Sequence, residues 1–336
     1  MRRLSISSLV VCLLLLWCAP GISAATSAKR NNWAVIVGSS RFFFNYRHTA
    51  DSLSLYHILK RNNFDDDHIL LFLADSMACH PVNLFQGTVQ PITGENVYGC
   101  DTEVDYSGDD VDVKRFVSVL QGRYQESTPP TRQLRSDENS NIIIYMSGHA
   151  AEQFFKFHDA EFLNAADIGE TFSVMHSQRR YHKILFIPDT CHGIALCDHV
   201  TAPNVACLSS SSSTEESYAS TVMEDLAVSS LSDYMRETLS VFNGTSCENK
   251  TAGRSIPPRI ISTDEKNTEG YSFLHLPLYD LNHNPLRHRL VKNPSKPAHR
   301  PPVNDQNALK KWNAEEFFCS APGSSAKVTI RHDLLD

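Results

Sequence analysis

The chain has 336 residues, of which 41% are hydrophobic and 21% are charged, and its formal net charge is −7. This composition is ordinary for a globular protein, and the length allows one large domain or two small ones. The net charge is negative and the sequence contains no block of like charges. Electrostatics therefore do not suggest nucleic acid, and we expect no nucleic-acid partner.

The N-terminal segment has the order of a secretory signal peptide. Arg2 and Arg3 precede an apolar run at residues 9–17, and small residues follow at Ser23, Ala24 and Ala25. We therefore predict a signal peptide over residues 1–25 and a mature chain in the secretory pathway. An uncleaved signal anchor is the alternative. No later stretch reaches the roughly 20 apolar residues of a membrane span, so we expect membrane association through partners.

Four continuous apolar runs follow, at residues 33–37, 69–74, 142–146 and 184–187. Continuous rather than alternating hydrophobicity is typical of a parallel sheet covered on both faces. Apolar residues at helical spacing lie between these runs, and together the two patterns predict a doubly wound α/β sheet with helices on both faces. The helical positions are Leu53, Tyr56 and Leu59; Val113, Phe116, Val117 and Leu120, with Asp109 and Asp110 as N-cap candidates; and Ile168, Phe172 and Met175.

The last third of the chain changes character. A further strand is predicted at residues 205–208, before the serine tract 209–213, and an amphipathic stretch at 226–242 is expected to close the domain. Beyond about residue 253 the periodicity is lost and prolines accumulate. We predict one folded domain over residues 31–245 and a Pro-rich extension of uncertain order over 246–336. Asn243 and Asn249 begin two glycosylation sequons, as expected in a luminal protein.

The cysteine count requires an unpaired thiol. Of nine cysteines, Cys12 and Cys18 leave with the signal peptide. Seven remain, and an odd number in an oxidising compartment leaves at least one thiol free or paired with another chain.

Two residues with catalytic chemistry follow consecutive predicted strands. The third strand leads into Ser147, Gly148 and His149, and the fourth leads into Asp189, Thr190 and Cys191. In open α/β sheets, sites form outside the carboxyl ends of strands. If the two strands are adjacent, the imidazole and the thiol meet across the top of the sheet.

A thiol beside an imidazole is suited to acyl transfer. The imidazole favours the nucleophilic thiolate and later protonates the leaving amine. The backbone near Cys191, together with Gly148 and Ala150, is the candidate oxyanion-binding group. Structural zinc is the competing interpretation, because Cys191, His192, Cys197, Asp198 and His199 concentrate zinc-type ligands; however, the usual C-x2–4-C spacing is missing.

Several separate blocks resemble the catalytic subunit of GPI transamidase. They are NNWAVIV (31–37), SRFFFNYRH (40–48), LADSMAC (73–79), VDYSG (104–108) and NIIIYMSGH (141–149). The resemblance implies a caspase-like fold shared with legumain. It implies cleavage of a C-terminal signal from a proprotein, with the cysteine thioester passed to the ethanolamine phosphate amine of a GPI lipid. The matched positions imply Cys191 as nucleophile, His149 as base and Asn45 as the residue that orients the histidine.

The resemblance also implies partners and a compartment. We expect action in the endoplasmic reticulum lumen with membrane-bound transamidase subunits, and Cys79 matches a cysteine that forms an intersubunit disulfide. An intrachain bridge between Cys79 and Cys100 is the alternative. No cofactor is expected to be required, although Asp66, Glu103 and Asp105 match acidic stretches that imply a calcium ion; solvated loop carboxylates are the alternative.

The chain departs from the family pattern around the dyad. Ala150 and Ala151 replace glycines after the histidine, and alanine would be strained if the backbone there required positive φ. Pro188 and His192 also differ from the usual neighbours of the nucleophile. Two other functions therefore stay open at this point: a soluble legumain-like endopeptidase, and a non-catalytic subunit that presents substrate.

Overall fold

A computed structural model describes residues 31–158 and 160–242. The predicted signal peptide, both sequons and the extension at 246–336 lie outside the described residues, so the domain boundaries stay predictions. Within the described part of the chain, no helix is both long and apolar enough to cross a membrane.

The central element is a six-stranded sheet in which every neighbouring pair is parallel. Its strands stand in the order β3-β2-β1-β4-β8-β9. They are β1 (Asn31–Gly38), β2 (Ile69–Leu73), β3 (Tyr106–Ser107), β4 (Ser140–Ser147), β8 (Lys183–Asp189) and β9 (Val205–Cys207). The five predicted strands are confirmed, with small changes at their ends.

Helices cover both faces of this sheet, as predicted. They are α1 (Tyr46–Arg61), α2 (Val113–Leu120), α3 (Ala165–Ser177) and α4 (Asp233–Phe242). Alternate strand residues enter two separate cores: Ile36 packs with α1 and α4 residues, whereas Val35 packs with α2 and α3 residues. Burying each such side chain contributes about 1.5–3 kcal/mol, which explains why the strands are apolar without alternation.

The beginnings of two helices follow from local polar contacts. Asp112, and not the predicted Asp109 or Asp110, is the N-cap of α2, because its carboxylate accepts a hydrogen bond from the N–H of Arg115. Asp109 and Asp110 lie one turn earlier in a short 3-10 helix. In α3, Asn164 and Asp167 form a reciprocal capping box. The periodicity located both helices, but the true cap of α2 depends on which carboxylate reaches the free backbone donors.

The predicted amphipathic stretch at 226–242 contains two kinds of element. Its first part is β11 (Val228–Leu231), which pairs antiparallel with β10 (Thr221–Met223), and only its second part is the helix α4.

A further antiparallel sheet was not predicted. It consists of β5 (Ala150–Ala151), β6 (Phe154–Phe157) and β7 (Glu161–Asn164), and these strands are too short for a periodicity signal.

Candidate active site

The sheet register places His149 beside Cys191. Strands β4 and β8 are parallel neighbours, and Ser147 stands opposite Asp189 where both strands end. His149 and Cys191 each follow two residues later, on strands that run about 4.8 Å apart. The intervening residues are tied together, since the Thr190 hydroxyl donates a hydrogen bond of 2.8 Å to the carbonyl oxygen of Gly148. The predicted adjacency of the two strands is therefore confirmed.

Asn45 fixes the tautomer of His149. The Nε2 atom of His149 lies 2.7 Å from Asn45 Oδ1, and Asn45 Nδ2 donates to the carbonyl oxygen of Arg41 at 2.7 Å. Because that carbonyl can only accept, the amide must present its oxygen to the imidazole, so Nε2 carries a proton. The other nitrogen, Nδ1, is then the base that can exchange a proton with a thiol.

The loop that carries Asn45 is held in a constrained conformation. Phe42 has φ 71° and ψ 144°, a region that only glycine occupies readily, and its N–H donates to the carboxylate of Asp75 at 2.9 Å. Arg41 forms an ion pair with Asp109. These contacts hold the chain where it enters the turn, which then places the buried side chain of Asn45 at the edge of the sheet.

His48 is a further residue at this site that sequence reasoning missed. Its ring meets the ring of His149 edge-on with centroids 4.9 Å apart, and its Nδ1 lies 2.8 Å from Ser40 Oγ. Burial, followed by Arg47 and His149, holds the pKa of His48 well below its ordinary value. His48 is therefore neutral and supports the catalytic imidazole without adding charge. The signal that could have identified His48 is its position three residues after Asn45, in the segment Asn-Tyr-Arg-His.

Cys191 is half-buried and has a backbone donor directed at its sulfur. The N–H of Ser217 lies 3.4 Å from Cys191 Sγ. The N–H groups of Thr190 and His192 are paired with Ser210 Oγ and the Glu215 carbonyl, whereas no described residue accepts a hydrogen bond from the N–H of Cys191. That N–H is thus available for a developing oxyanion, while the predicted oxyanion-binding role of this backbone, Gly148 and Ala150 stays a prediction.

His192 turns away from the thiol. It adopts left-handed backbone geometry with φ 53°, and its Nδ1 lies 2.9 Å from the carbonyl oxygen of Ser213. Its hydrogen-bond partner is thus the loop at 213–215 and not the sulfur of Cys191.

The substitution of alanine for glycine after the histidine is compatible with the backbone. Ala150 and Ala151 form β5 and pair with Phe155 and Phe154, and neither has positive φ. Gly148 is different, since a Cβ there would overlap Ser39 Oγ and the ring of Phe155. Close packing, and not positive φ, therefore requires glycine at position 148.

Beneath the dyad lies a pair of buried carboxyl groups, Asp51 in α1 and Asp189 at the end of β8. Both accept hydrogen bonds from Ser232: its N–H donates to Asp51 Oδ1 at 2.9 Å, and its hydroxyl donates to Asp189 Oδ2 at 2.8 Å. Burial is the largest cause that raises the pKa of each carboxyl above its ordinary value. No pattern in the sequence predicts that these two residues meet.

Comparison with known proteins agrees with this geometry. The profile of the Peptidase C13 family matches residues 32–255. That match covers two thirds of the chain and both members of the dyad. The chain belongs to the Peptidase C13 family.

Within this family, the chain is similar to proteins named GPI-anchor transamidase. The chain is 46% identical over 193 residues to the GPI-anchor transamidase of Bos taurus, covering 57% of this chain and 49% of the relative. It is 42% identical over 209 residues to that of Schizosaccharomyces pombe, covering 62% and 55%. It is 42% identical over 195 residues to that of Saccharomyces cerevisiae, covering 57% and 47%. The predicted resemblance is confirmed, and the chain spans about half the length of these relatives.

Among the described cysteines of this C13 family member, one pair is bridged and three are free. Cys197 and Cys207 form a disulfide, whereas Cys79 and Cys100 are both free and exposed. The alternative Cys79–Cys100 bridge is therefore wrong for this structure. The zinc interpretation fails as well, because Cys197 is oxidised and no group of three or more metal-type ligands occurs among the described residues.

The three calcium candidates lie near one another around the end of α1 and the start of β2. Asp66 binds the Tyr56 hydroxyl and the ammonium group of Lys60, and Asp105 accepts the N–H of Leu71 at 2.8 Å. Burial, with lesser contributions from Glu103 and Asp66, raises the pKa of Asp105 to about 7. Lys60 already neutralises Asp66, and the described residues include no group of three or more ligands placed to hold a metal ion, so these carboxyl groups do not form a ready-made cation site.

Proposed function

We propose that this chain is the catalytic subunit of a GPI transamidase. One observation carries this proposal. His149 and Cys191 each lie two residues beyond a pair of opposed residues on neighbouring strands, and Asn45 contacts the imidazole of His149. Its substrates would be the C-terminal attachment signal of a proprotein and the terminal ethanolamine phosphate amine of a GPI lipid. The relatives named GPI-anchor transamidase support this choice within the C13 family.

The first half-reaction forms a thioester. His149 Nδ1 takes the proton of Cys191, and the thiolate attacks the carbonyl carbon of the scissile peptide bond. The Cys191 N–H stabilises the oxyanion. The imidazolium then protonates the leaving nitrogen, and the C-terminal signal departs as a free amine.

The second half-reaction transfers the acyl group. The ethanolamine phosphate amine attacks the thioester carbon while His149 removes a proton from the nitrogen. As the amide forms, the thiolate leaves and recovers a proton from His149, which restores the starting state. A thioester is more susceptible to amines than an oxygen ester is, so a cysteine nucleophile suits an amine acceptor.

We further infer that the chain acts in the endoplasmic reticulum lumen, joined to membrane subunits. The exposed thiol of Cys79 is accessible for an intersubunit disulfide, but so is that of Cys100. Non-reducing gels of Cys79→Ser and Cys100→Ser variants in the assembled complex separate the two. Loss of a mixed-disulfide band only in Cys79→Ser is expected, and its persistence there would contradict the assignment.

Calcium is proposed only as an accessory ion at Asp66, Glu103 and Asp105, where it would neutralise clustered carboxylates. The measurement is the thermal midpoint of the full chain in EDTA and in millimolar calcium. Asp105→Asn is expected to abolish any calcium-dependent rise, because it removes the most buried of the three charges. An equal rise in wild type and Asp105→Asn would exclude this site.

Complementation of transamidase-deficient cells tests the catalytic assignment. We expect no rescue by Cys191→Ala or His149→Ala, and partial rescue by Asn45→Ala. Full rescue by Cys191→Ala would overturn the proposal and favour a subunit that only presents substrate. Peptide cleavage by the isolated chain that hydrazine does not divert into hydrazide product would instead identify a peptidase that uses water.

A further inference from the structure

The hydrogen bonds around Asp51 and Asp189 differ in kind. Asp189 accepts from three hydroxyl groups: Tyr145 at 2.8 Å, Ser232 at 2.8 Å and Ser217 at 3.3 Å. Asp51 accepts the N–H of Ser232, and the hydroxyl of Ser147 donates to it at the longer distance of 3.3 Å. Hydrogen bonds donated to a carboxylate stabilise its ionised form, so this arrangement favours charge on Asp189.

The two carboxyl groups cannot both be charged at low cost. Their side chains are 0% and 4% exposed, and both contact the same serine, Ser232. Two like charges close together in a low dielectric force one group to keep its proton. Burial and the neighbouring Asp189 raise the pKa of Asp51 well above its ordinary value, in agreement with a protonated Asp51.

The other ionisable groups that face this pair do not change that assignment. Arg47, on the same helix as Asp51, lowers the pKa of Asp51, but less than burial and Asp189 raise it. Tyr145 and Tyr234, from β4 and α4, have raised pKa values, with burial as the main cause, and stay neutral. Among these groups, the hydrogen bonds to Asp189 are therefore what favours a single negative charge on that residue.

Ser217 connects this charge to the nucleophile. Its hydroxyl donates to Asp189 Oδ1 and also receives a hydrogen bond of 2.9 Å from Ser210 Oγ, while its backbone N–H lies 3.4 Å from Cys191 Sγ. Ser217 is half-buried on a loop without regular structure, so its position depends on these side-chain contacts. Asp189 thus holds the side chain of Ser217, while the backbone N–H of the same residue points at the sulfur of Cys191.

We propose that Asp51 and Asp189 share a single proton carried by Asp51, and that ionised Asp189 positions Ser217 so that its N–H stabilises the Cys191 thiolate. Asp51, Asp189 and Ser217 are positioning residues in this proposal, since they act on the reaction only through the sulfur. The proposal rests on Cys191 being the nucleophile.

The test is the pH dependence of Cys191 alkylation by iodoacetamide in the full chain, followed by mass spectrometry of the Cys191 peptide. Asp51→Asn and Asp189→Asn form a matched pair, because each replaces one carboxyl by an amide of the same shape. We expect Asp51→Asn to keep the wild-type profile within about twofold, since an amide resembles the protonated acid. We expect Asp189→Asn to move the midpoint to higher pH by about one unit, the size of one hydrogen bond to a charged group.

Ser217→Ala provides a second test that does not disturb the core. It removes only a hydroxyl on a half-buried loop, and we expect a shift in the same direction as Asp189→Asn but smaller. Thermal midpoints identify any variant that fails to fold, in which case Ser217→Ala alone decides. Equal shifts in the two Asp variants would overturn the single-proton assignment, and a wild-type profile in Ser217→Ala would overturn the link to the sulfur.

The alkylation profile needs no substrate, so its failure is distinguishable from failure of the proposed function. If Cys191→Ala rescues transamidase-deficient cells, the proposed function fails whatever the alkylation result. If Cys191→Ala does not rescue and Asp189→Asn leaves the profile unchanged, only the positioning proposal fails.

Discussion

The chemistry of His149 depends on one amide oxygen. Asn45 accepts from Nε2, and the Arg41 carbonyl prevents the amide from turning over. The sequence offered Asn45 only through a family resemblance. Its physical role becomes clear in the structure, where a constrained loop directs a buried amide at the imidazole.

Replacing Asn45 by alanine is expected to lower kcat by roughly 10- to 100-fold with a small change in KM, because the imidazole loses its fixed tautomer and direction. Asn83→Ala is the matched control: Asn83 is similarly buried, and its Nδ2 donates to the Met77 and Thr88 carbonyls instead. Both variants should lower the thermal midpoint, but only Asn45→Ala should lower kcat. Equal losses of kcat would show that general destabilisation is responsible.

A Cβ at position 148 is expected to cost about 1–3 kcal/mol of stability, because it overlaps Ser39 and Phe155 in a packed core. Denaturant unfolding of Gly148→Ala measures this cost, and a fall in kcat should accompany it because His149 is the next residue. Ala150→Gly is the contrasting variant. It restores a glycine after the histidine, yet it should not raise activity, since Ala150 already has an unstrained φ.

At the scale of elements, the Cys197–Cys207 disulfide holds the segment that follows Cys191. Cys197 ends the short 3-10 helix Gly193–Cys197, and Cys207 ends β9, with a sequence separation of 10 residues. The bridge therefore closes a short loop against the edge strand of the sheet. The sequence contains both cysteines, but it does not predict that they pair, because the pairing depends on β9 lying beside β8.

Removing this bridge in a Cys197→Ser/Cys207→Ser double variant is expected to lower the free energy of unfolding by about 2–4 kcal/mol, through the greater freedom of the unfolded chain. Equilibrium denaturation under non-reducing conditions measures the loss. A Cys79→Ser/Cys100→Ser variant is the control, because both thiols are free and exposed. An equal loss in the control would mean that the effect does not come from the bridge.

At the scale of the whole molecule, buried acids make stability depend on pH. Asp105 has a pKa of about 7 in the folded protein and an ordinary value of 3.8. Between these values the folded state binds more protons than the unfolded state, so stability falls as pH rises from about 4 through 7. The raised pKa of Asp51 acts in the same direction.

We therefore expect Asp105→Asn to flatten the decline of the thermal midpoint between pH 4 and pH 7, measured in EDTA. The amide cannot ionise, so the variant should lose less stability than wild type as pH rises. Asp67→Asn serves as the control, since Asp67 is an exposed neighbour of the same cluster. A wild-type slope in Asp105→Asn would contradict the assignment of the titration to Asp105.

The sequence by itself determined the layers and the dyad. Continuous apolar runs identified the strands of a parallel sheet, and the residues after two of them supplied a thiol and an imidazole at one edge. Helical periodicity located α1, α2 and α3, although the cap of α2 was misjudged and the hairpin before α4 was not predicted. Short strands and caps depend on a few contacts, which leave little periodic signal.

Only the tertiary structure decided the surroundings of the dyad. The register that places Ser147 opposite Asp189 determines that His149 meets Cys191, and the return of α1 beneath the sheet brings Asp51 to Asp189 and His48 to His149. The β10–β11 hairpin then delivers Ser232 from far along the chain. These contacts join residues far apart in the chain, up to 181 positions for Asp51 and Ser232. Such pairings follow from packing because no local pattern in the sequence encodes them.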